Sequence, residues 1–119
     1  MILVAVDDLL FSSKIRTTAK QAGVEIRFAR TPAEIVDQAR VLKPSLVIFD
    51  LNSAKADPIA TVGTMKGDPE LSSIPTLGFV SHVHTGVIEA ARGAGIDTVL
   101  ARSAFAGNLA EILIDGARS

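Results

Sequence analysis

Cysteine is absent from this chain of 119 residues. That one absence removes disulfide cross-links, thiol nucleophiles and thiolate metal sites together, and it fits a reducing compartment. An excess of charge of one sign is missing too. The 12 basic and 13 acidic residues nearly cancel, with no long run of either, whereas a nucleic-acid binder leaves a basic stripe or a strongly basic balance. No apolar run approaches a membrane span. The stretch Ile2–Val6 is too short, follows no positively charged segment and is stopped at once by Asp7 and Asp8. A cytoplasmic protein that binds neither nucleic acid nor membrane is expected.

What is present is enough apolar residue, 48% of the chain, to build one core. One domain over residues 1–119 with no output domain is the expectation. Five β-rich runs stand out: Ile2–Val6, Val24–Phe28, Leu46–Phe49, Thr76–Val80 and Thr98–Ala101. The first and third are nearly continuous apolar runs, as in strands covered on both faces.

Between and after them, apolar residues recur three and four apart, the spacing of a helix face. The five faces read Phe11, Ile15, Ala19 and Ala22; Ile35, Ala39 and Leu42; Ile59, Val62 and Met65; Val83, Val87, Ala90 and Ala94; and Phe105, Leu109, Ile112 and Leu113. Thr31-Pro32 looks like an N-cap with proline at the first helical position, and Gly23 like a helix stop. Lys43-Pro44 and Asp68-Pro69 mark the ends of the second and third helices. Strict alternation of this kind predicts an α/β fold with a parallel sheet and helices on both faces.

In such a sheet ligands gather beyond the carboxyl ends of the strands. Asp7 and Asp8 follow the first strand, Asp50 the third, Ser81 and His82 the fourth, Arg102 and Ser103 the fifth. Three carboxylates crowded together repel one another, and a hard divalent cation such as Mg2+ relieves that repulsion. Acids at a strand end can also simply cap the next helix, so for Asp7-Asp8 both readings stand; a second acidic strand end at Asp50 weighs toward the site.

The runs Ile2-Leu3-Val4-Ala5-Val6-Asp7-Asp8 and Leu46-Val47-Ile48-Phe49-Asp50-Leu51-Asn52, then Ile74-Pro75 and Gly95-Ile96-Asp97, together resemble the landmarks of response-regulator receiver domains, in register over nearly the whole chain. The resemblance implies a doubly wound five-stranded sheet of order 2-1-3-4-5. It implies that Asp7 and Asp8 are metal carboxylates, that Asp50 is both a metal ligand and the phosphoryl acceptor, and that Asn52 lends a backbone carbonyl to Mg2+. It further implies a histidine kinase or phosphotransfer protein as donor. A downstream protein would dock on the face of helix four, strand five and helix five, with a homodimer as a further option.

Against the same pattern several parts are replaced. Val80 stands in the slot of the usual hydroxyl after strand four, with Ser81 one position beyond, so Ser81 substitutes only where the strand end bends. Arg102 stands in the lysine slot: it keeps the charge but is larger and forked, suited to gripping phosphate or to locking onto Asp50 and blocking metal. Val99 replaces the switch aromatic of strand five, Ser103 the proline after the lysine, and Ala54 the proline of the acceptor loop. His82 lies near the predicted site, where a hydrogen bond to phosphate and a solvent-facing position are both open; His84 is expected to face solvent. Two histidines without spaced partners make a poor zinc site.

Two functions follow from different classes. One is a phosphorelay receiver acting through Asp50. The other is a pseudo-receiver, a phosphorylation-independent docking or dimerisation module. An independent enzyme is disfavoured, because Asn52 occupies the position where aspartate-nucleophile phosphatases carry a second acid and the chain has no glycine-rich phosphate loop.

Overall fold

A computed structural model describes residues 1–81 and 85–118. Its elements run β1 (Ile2–Ala5), α1 (Leu9–Ala22), β2 (Ile26–Phe28), α2 (Pro32–Leu42), β3 (Leu46–Asp50), α3 (Pro58–Lys66), β4 (Thr76–Val80), α4 (Thr85–Ala94), β5 (Thr98–Ala101), α5 (Arg102–Gly107) and α6 (Leu109–Ala117). The strands form one sheet of order β2-β1-β3-β4-β5, and every adjacent pair is parallel. The doubly wound architecture expected from the sequence is the one observed.

Alternation along the central strands sorts their side chains into two cores. Leu3, Ala5, Val47 and Phe49 face one side, where Ile35 and Ala39 of α2, Val62 and Met65 of α3 and Ala91 of α4 pack on them. Ile2, Val4, Ile48 and Phe79 face the other, against Phe11, Ile15 and Ala19 of α1, Phe105 of α5 and Leu109 and Leu113 of α6. Each fully buried aliphatic or aromatic side chain contributes about 1.5–3 kcal/mol, so the two faces together hold the sheet rigid. Gly78 shows how tightly: a Cβ there would lie 2.7 Å from Ile96 Cδ1 and 2.8 Å from Leu51 Cδ1.

The helix punctuation behaves as its chemistry requires. Thr31 caps α2 by accepting the Glu34 N–H, with proline directly after it. Gly23 ends α1 at φ 71°, its N–H reaching back to carbonyls of the last turn.

Three expectations need correction. The fifth helical segment is two helices, because the backbone departs from helix at Asn108 (φ −118°, ψ 21°), whose side-chain amide donates to the Ala104 carbonyl. The break lets α5 hug β4 and β5 while α6 swings onto α1 and β1. The buried face of α4 runs through Val87, Ile88, Ala91 and Ala94, while Ala90 is exposed; in an alanine-rich helix apolar spacing marks the buried stripe weakly. β2 is also shorter than the run Val24–Phe28. Val83, expected on the α4 face, and His82 and His84 lie outside the described residues.

Candidate acceptor site at the carboxyl edge of the sheet

The parallel register fixes the site. β1 and β3 pair side by side, with Ala5 opposite Phe49, so Asp50 and the two acids that follow β1 emerge at the same edge. Asp50 is the last residue of β3 and is opposite Phe79 of β4. It is 7% exposed, held down by the core that flanks it on both sides.

Burial raises the Asp50 carboxyl above the ordinary aspartate value. The Asn52 backbone N–H and the Arg102 charge pull the other way, and repulsion from Asp7 and Asp8 adds to the rise. Asn52 N–H donates to Asp50 Oδ1 at 2.9 Å. Among the described residues Oδ2 accepts no hydrogen bond and Asp50 forms no ion pair. It is a desolvated carboxylate with one oxygen tied and the other open among the described residues.

Asp7 is lightly held as well: the Ser53 hydroxyl donates to its Oδ1 at 3.4 Å. Ser53 Oγ in turn accepts the Ala56 N–H at 3.3 Å, which folds the loop after Asp50 back beneath Asp7.

Asp8 is engaged twice. Its Oδ1 accepts the Phe11 N–H at 3.0 Å as the N-cap of α1, and its Oδ2 pairs with Arg102 Nη2 at 3.2 Å. These contacts, the Phe11 N–H first and Arg102 second, hold its carboxyl below the usual range. Asp8 is thus the helix cap that one reading of the acidic pair expected, and its second oxygen is turned to Arg102 at the same sheet edge.

Arg102 does not lock onto Asp50. It opens α5, pairs with Asp8 and lays its guanidinium 4.6 Å over the Phe11 ring. With Ser81, Ser103 and Ala106 it lines a cleft of about 360 Å3. Val80 is fully buried in the core, so the hydroxyl slot carries no donor. Ser81, the next residue, is tied through its backbone: its N–H donates to the Asn52 side-chain Oδ1 at 3.0 Å. Asn52, expected from the sequence to lend a backbone carbonyl to a metal, uses its side chain to fasten the end of β4 to the loop that follows Asp50.

Among the described residues no three histidine, cysteine or acidic side chains form a ready-made metal cage. Mg2+, however, takes one or two carboxylates and keeps several waters. Asp7 and Asp50 suit that demand, being hard oxygen donors that make no ion pair among the described residues, one of them buried and pushed toward protonation. Asp8 is already engaged, by the Phe11 N–H on one oxygen and by Arg102 on the other.

Two contributors, Phe11 and Ser53, were not visible in the sequence. Phe11 reads as a core residue from its helical spacing, and it is one. Its second use depends on α5 bringing Arg102 across the sheet edge, which no local pattern encodes. Ser53 depends on the curvature of the loop after β3.

No protein-family model matches the chain, and no functionally curated protein matches it in sequence. Solved structures match it closely in shape. A response regulator from Hahella chejuensis superposes with a TM-score of 0.85 at 18% identity, over 98% of this chain and 94% of that one. The chain has the receiver fold. The receiver domain of a sensor histidine kinase from Pseudomonas aeruginosa, which holds a magnesium ion in its active-site cleft, matches with a TM-score of 0.83 at 17% identity over 99% of this chain and 97% of that one. The chemotaxis response regulator CheY4 of Vibrio cholerae matches at 0.81 and 16% identity, over 97% and 96%. These likenesses span the whole sheet and its helices, not a fragment. None of the described helices is long and apolar enough to cross a membrane.

Proposed function

We propose that this domain is a signalling receiver in which Asp50 accepts a phosphoryl group from a histidine kinase or phosphotransfer protein. The observation that carries the reading is the state of Asp50: buried at the carboxyl edge, driven up in pKa, and open at Oδ2.

The chemistry asks little covalent work of the protein. Oδ2 of Asp50 attacks phosphorus, the donor's P–N bond breaks, and its electron pair leaves with the imidazole nitrogen. Catalysis of such a step is positioning and charge neutralisation. The Asn52 N–H holds Oδ1 so that Oδ2 points outward, and the buried floor of the sheet excludes water from behind the carboxylate. Arg102, which already lines the adjoining cleft, supplies a forked cation for phosphoryl oxygens. A divalent cation held by Asp7, Asp8, Asp50 and the Asn52 backbone carbonyl would neutralise the charge that accumulates on those oxygens. The magnesium in the Pseudomonas receiver supports that part of the reading.

The output would leave by protein contact. β5 closes the sheet on one side, with Val99 and Leu100 only partly covered, which suits the face made by α4, β5 and the α5–α6 segment that stands for the expected fifth helix for docking a downstream partner or a second copy of the chain.

One set of observations favours a second reading. Val80 is buried without a hydroxyl and Arg102 is committed to Asp8, an arrangement that also serves a phosphorylation-independent docking module. Intact-mass measurement after incubation with a small-molecule phosphodonor and Mg2+ separates the two. A phosphoryl-sized gain in the wild type, absent in Asp50→Asn, is the expected result. No gain, in a tube where a conventional receiver is labelled, would overturn the acceptor reading and leave the docking module.

A further inference from the structure

Arg102 occupies a position defined by two independent contacts on its two sides. Its Nη2 pairs with Asp8 Oδ2 at 3.2 Å, and its Cζ lies over the Phe11 ring, 4.6 Å from the centroid. Phe11 is itself fixed. It meets Phe79 edge-on at 5.0 Å and Phe105 edge-on at 5.7 Å, while Phe79 and Phe105 stack at 4.5 Å and 11°. The three rings belong to α1, β4 and α5, so the seat beneath Arg102 is a rigid part of the core. A planar guanidinium can use both contacts at once, its edge for the carboxylate and its face for the ring; an ammonium cannot match that geometry.

We infer that Arg102 is a latch that competes with the divalent cation for Asp8, and that Phe11 is the seat that holds the latch closed. The inference rests on the cation reading of the previous section and deepens it. In the closed state Asp8 carries Arg102, and the cation has Asp7 and Asp50 alone as carboxylate ligands. For Asp8 to join them, Arg102 must leave the ring and turn into the open cleft it lines with Ser81, Ser103 and Ala106. Each side of this exchange has a cost, so the domain takes up the cation more weakly than its three acids alone would. The charge that departs from Asp8 stays at the mouth of the site, where an anion on Asp50 would attract it. Arg102 and Phe11 are positioning residues in this scheme: they act on the cation through Asp8.

The test is Mg2+ affinity by calorimetric titration on four proteins: wild type, Arg102→Gln, Arg102→Lys and Phe11→Leu. Circular dichroism checks that each is folded. An exposed ion pair and a cation–ring contact together correspond to a three- to tenfold change in Kd, roughly. Arg102→Gln is expected to tighten Mg2+ by about that much. Removing a positive charge would do so even without a latch, so the other two variants decide. Both remaining variants keep the charge; Arg102→Lys loses the joint edge-and-face contact and Phe11→Leu removes the ring, and each is expected to tighten Mg2+ by about two- to threefold. Tightening in Arg102→Gln alone would show simple repulsion and overturn the latch. Equal affinity in all four would also overturn it while leaving the cation reading intact. Failure of all four to bind Mg2+ would overturn the cation reading and the latch with it. A second readout needs no metal: the Arg102 Nε–H resonance should show ring-current shift and slow exchange in the wild type and lose both in Phe11→Leu.

Discussion

Two aspartates on opposite edges of the same sheet are treated in opposite ways. Asp97, before β5, lies at the amino edge. Its Oδ2 accepts the Thr76 N–H at 2.8 Å, the Thr76 hydroxyl at 3.0 Å and the Lys66 ammonium at 3.0 Å, while its own N–H donates to Thr76 Oγ1 at 3.0 Å. Burial works against its ionisation, but these partners outweigh it, and its carboxyl sits below the ordinary range. Asp50, at the carboxyl edge, has one backbone N–H among the described residues and a pKa raised by burial. Asp97 at the amino edge is well partnered, while Asp50 at the carboxyl edge is the carboxylate that, in the proposed function, a phosphoryl group completes. Satisfied carboxylates hold folds together, whereas a desolvated and incompletely partnered one is kept at a cost in stability, which is how functional sites are recognised.

The largest effect should come from breaking the satisfied edge. Asp97→Ala removes three accepted hydrogen bonds, one of them charged, from a side chain half open to water; with that exposure discounted, a loss of about 1–3 kcal/mol in urea unfolding is expected. Because the folded pKa of Asp97 is lowered, its contribution is full above the ordinary aspartate value and fades as pH falls through the lowered one. Wild type and variant should therefore converge in acid.

Asp50→Asn should move stability the other way. A raised folded pKa means the ionised carboxylate penalises the fold at neutral pH, and the penalty is absent below the ordinary aspartate value. A gain of about 0.5–2 kcal/mol at pH 7 is expected, shrinking toward zero by about pH 3.5. Destabilisation by Asp50→Asn at neutral pH would break the contrast between the two edges.

The smallest effect concerns the strap across the carboxyl edge. Asn52→Ala deletes the acceptor of the Ser81 N–H and should cost about 0.5–1.5 kcal/mol. Its clearer signature is local: amide exchange should quicken at Ser81 and stay unchanged at Thr76.

How much of this was legible in the residues follows from range. The fold was legible because parallel strands and helix faces write themselves in local periodicity. Ile2–Val6 and Leu46–Phe49 read as doubly covered strands, and the acids that end them mark the edge. The gathering of Asp7, Asp8 and Asp50 was legible for the same reason, since strand order alone brings them together. What local pattern could not supply was the choice each side chain makes among neighbours. Arg102 had Asp50 or a phosphate as candidate partners, yet it lies with Asp8 and Phe11, a pairing set by the angle at which α5 leaves β5. The Asn108 break was hidden because Phe105 and Leu109, four apart, keep helical spacing across it. In α4 the alanines gave no apolar contrast, and the face was misplaced by one residue at Ala90.

The contrast between the edges can be read directly by titrating side-chain carboxyl carbons by NMR in one sample, with and without Mg2+. Asp50 should titrate above the ordinary aspartate value and Asp97 below it, and Mg2+ should shift Asp50 and Asp7 while leaving Asp97 unmoved. Titration of Asp50 at or below the ordinary value, with no response to Mg2+, would contradict the account of this edge as an acceptor site.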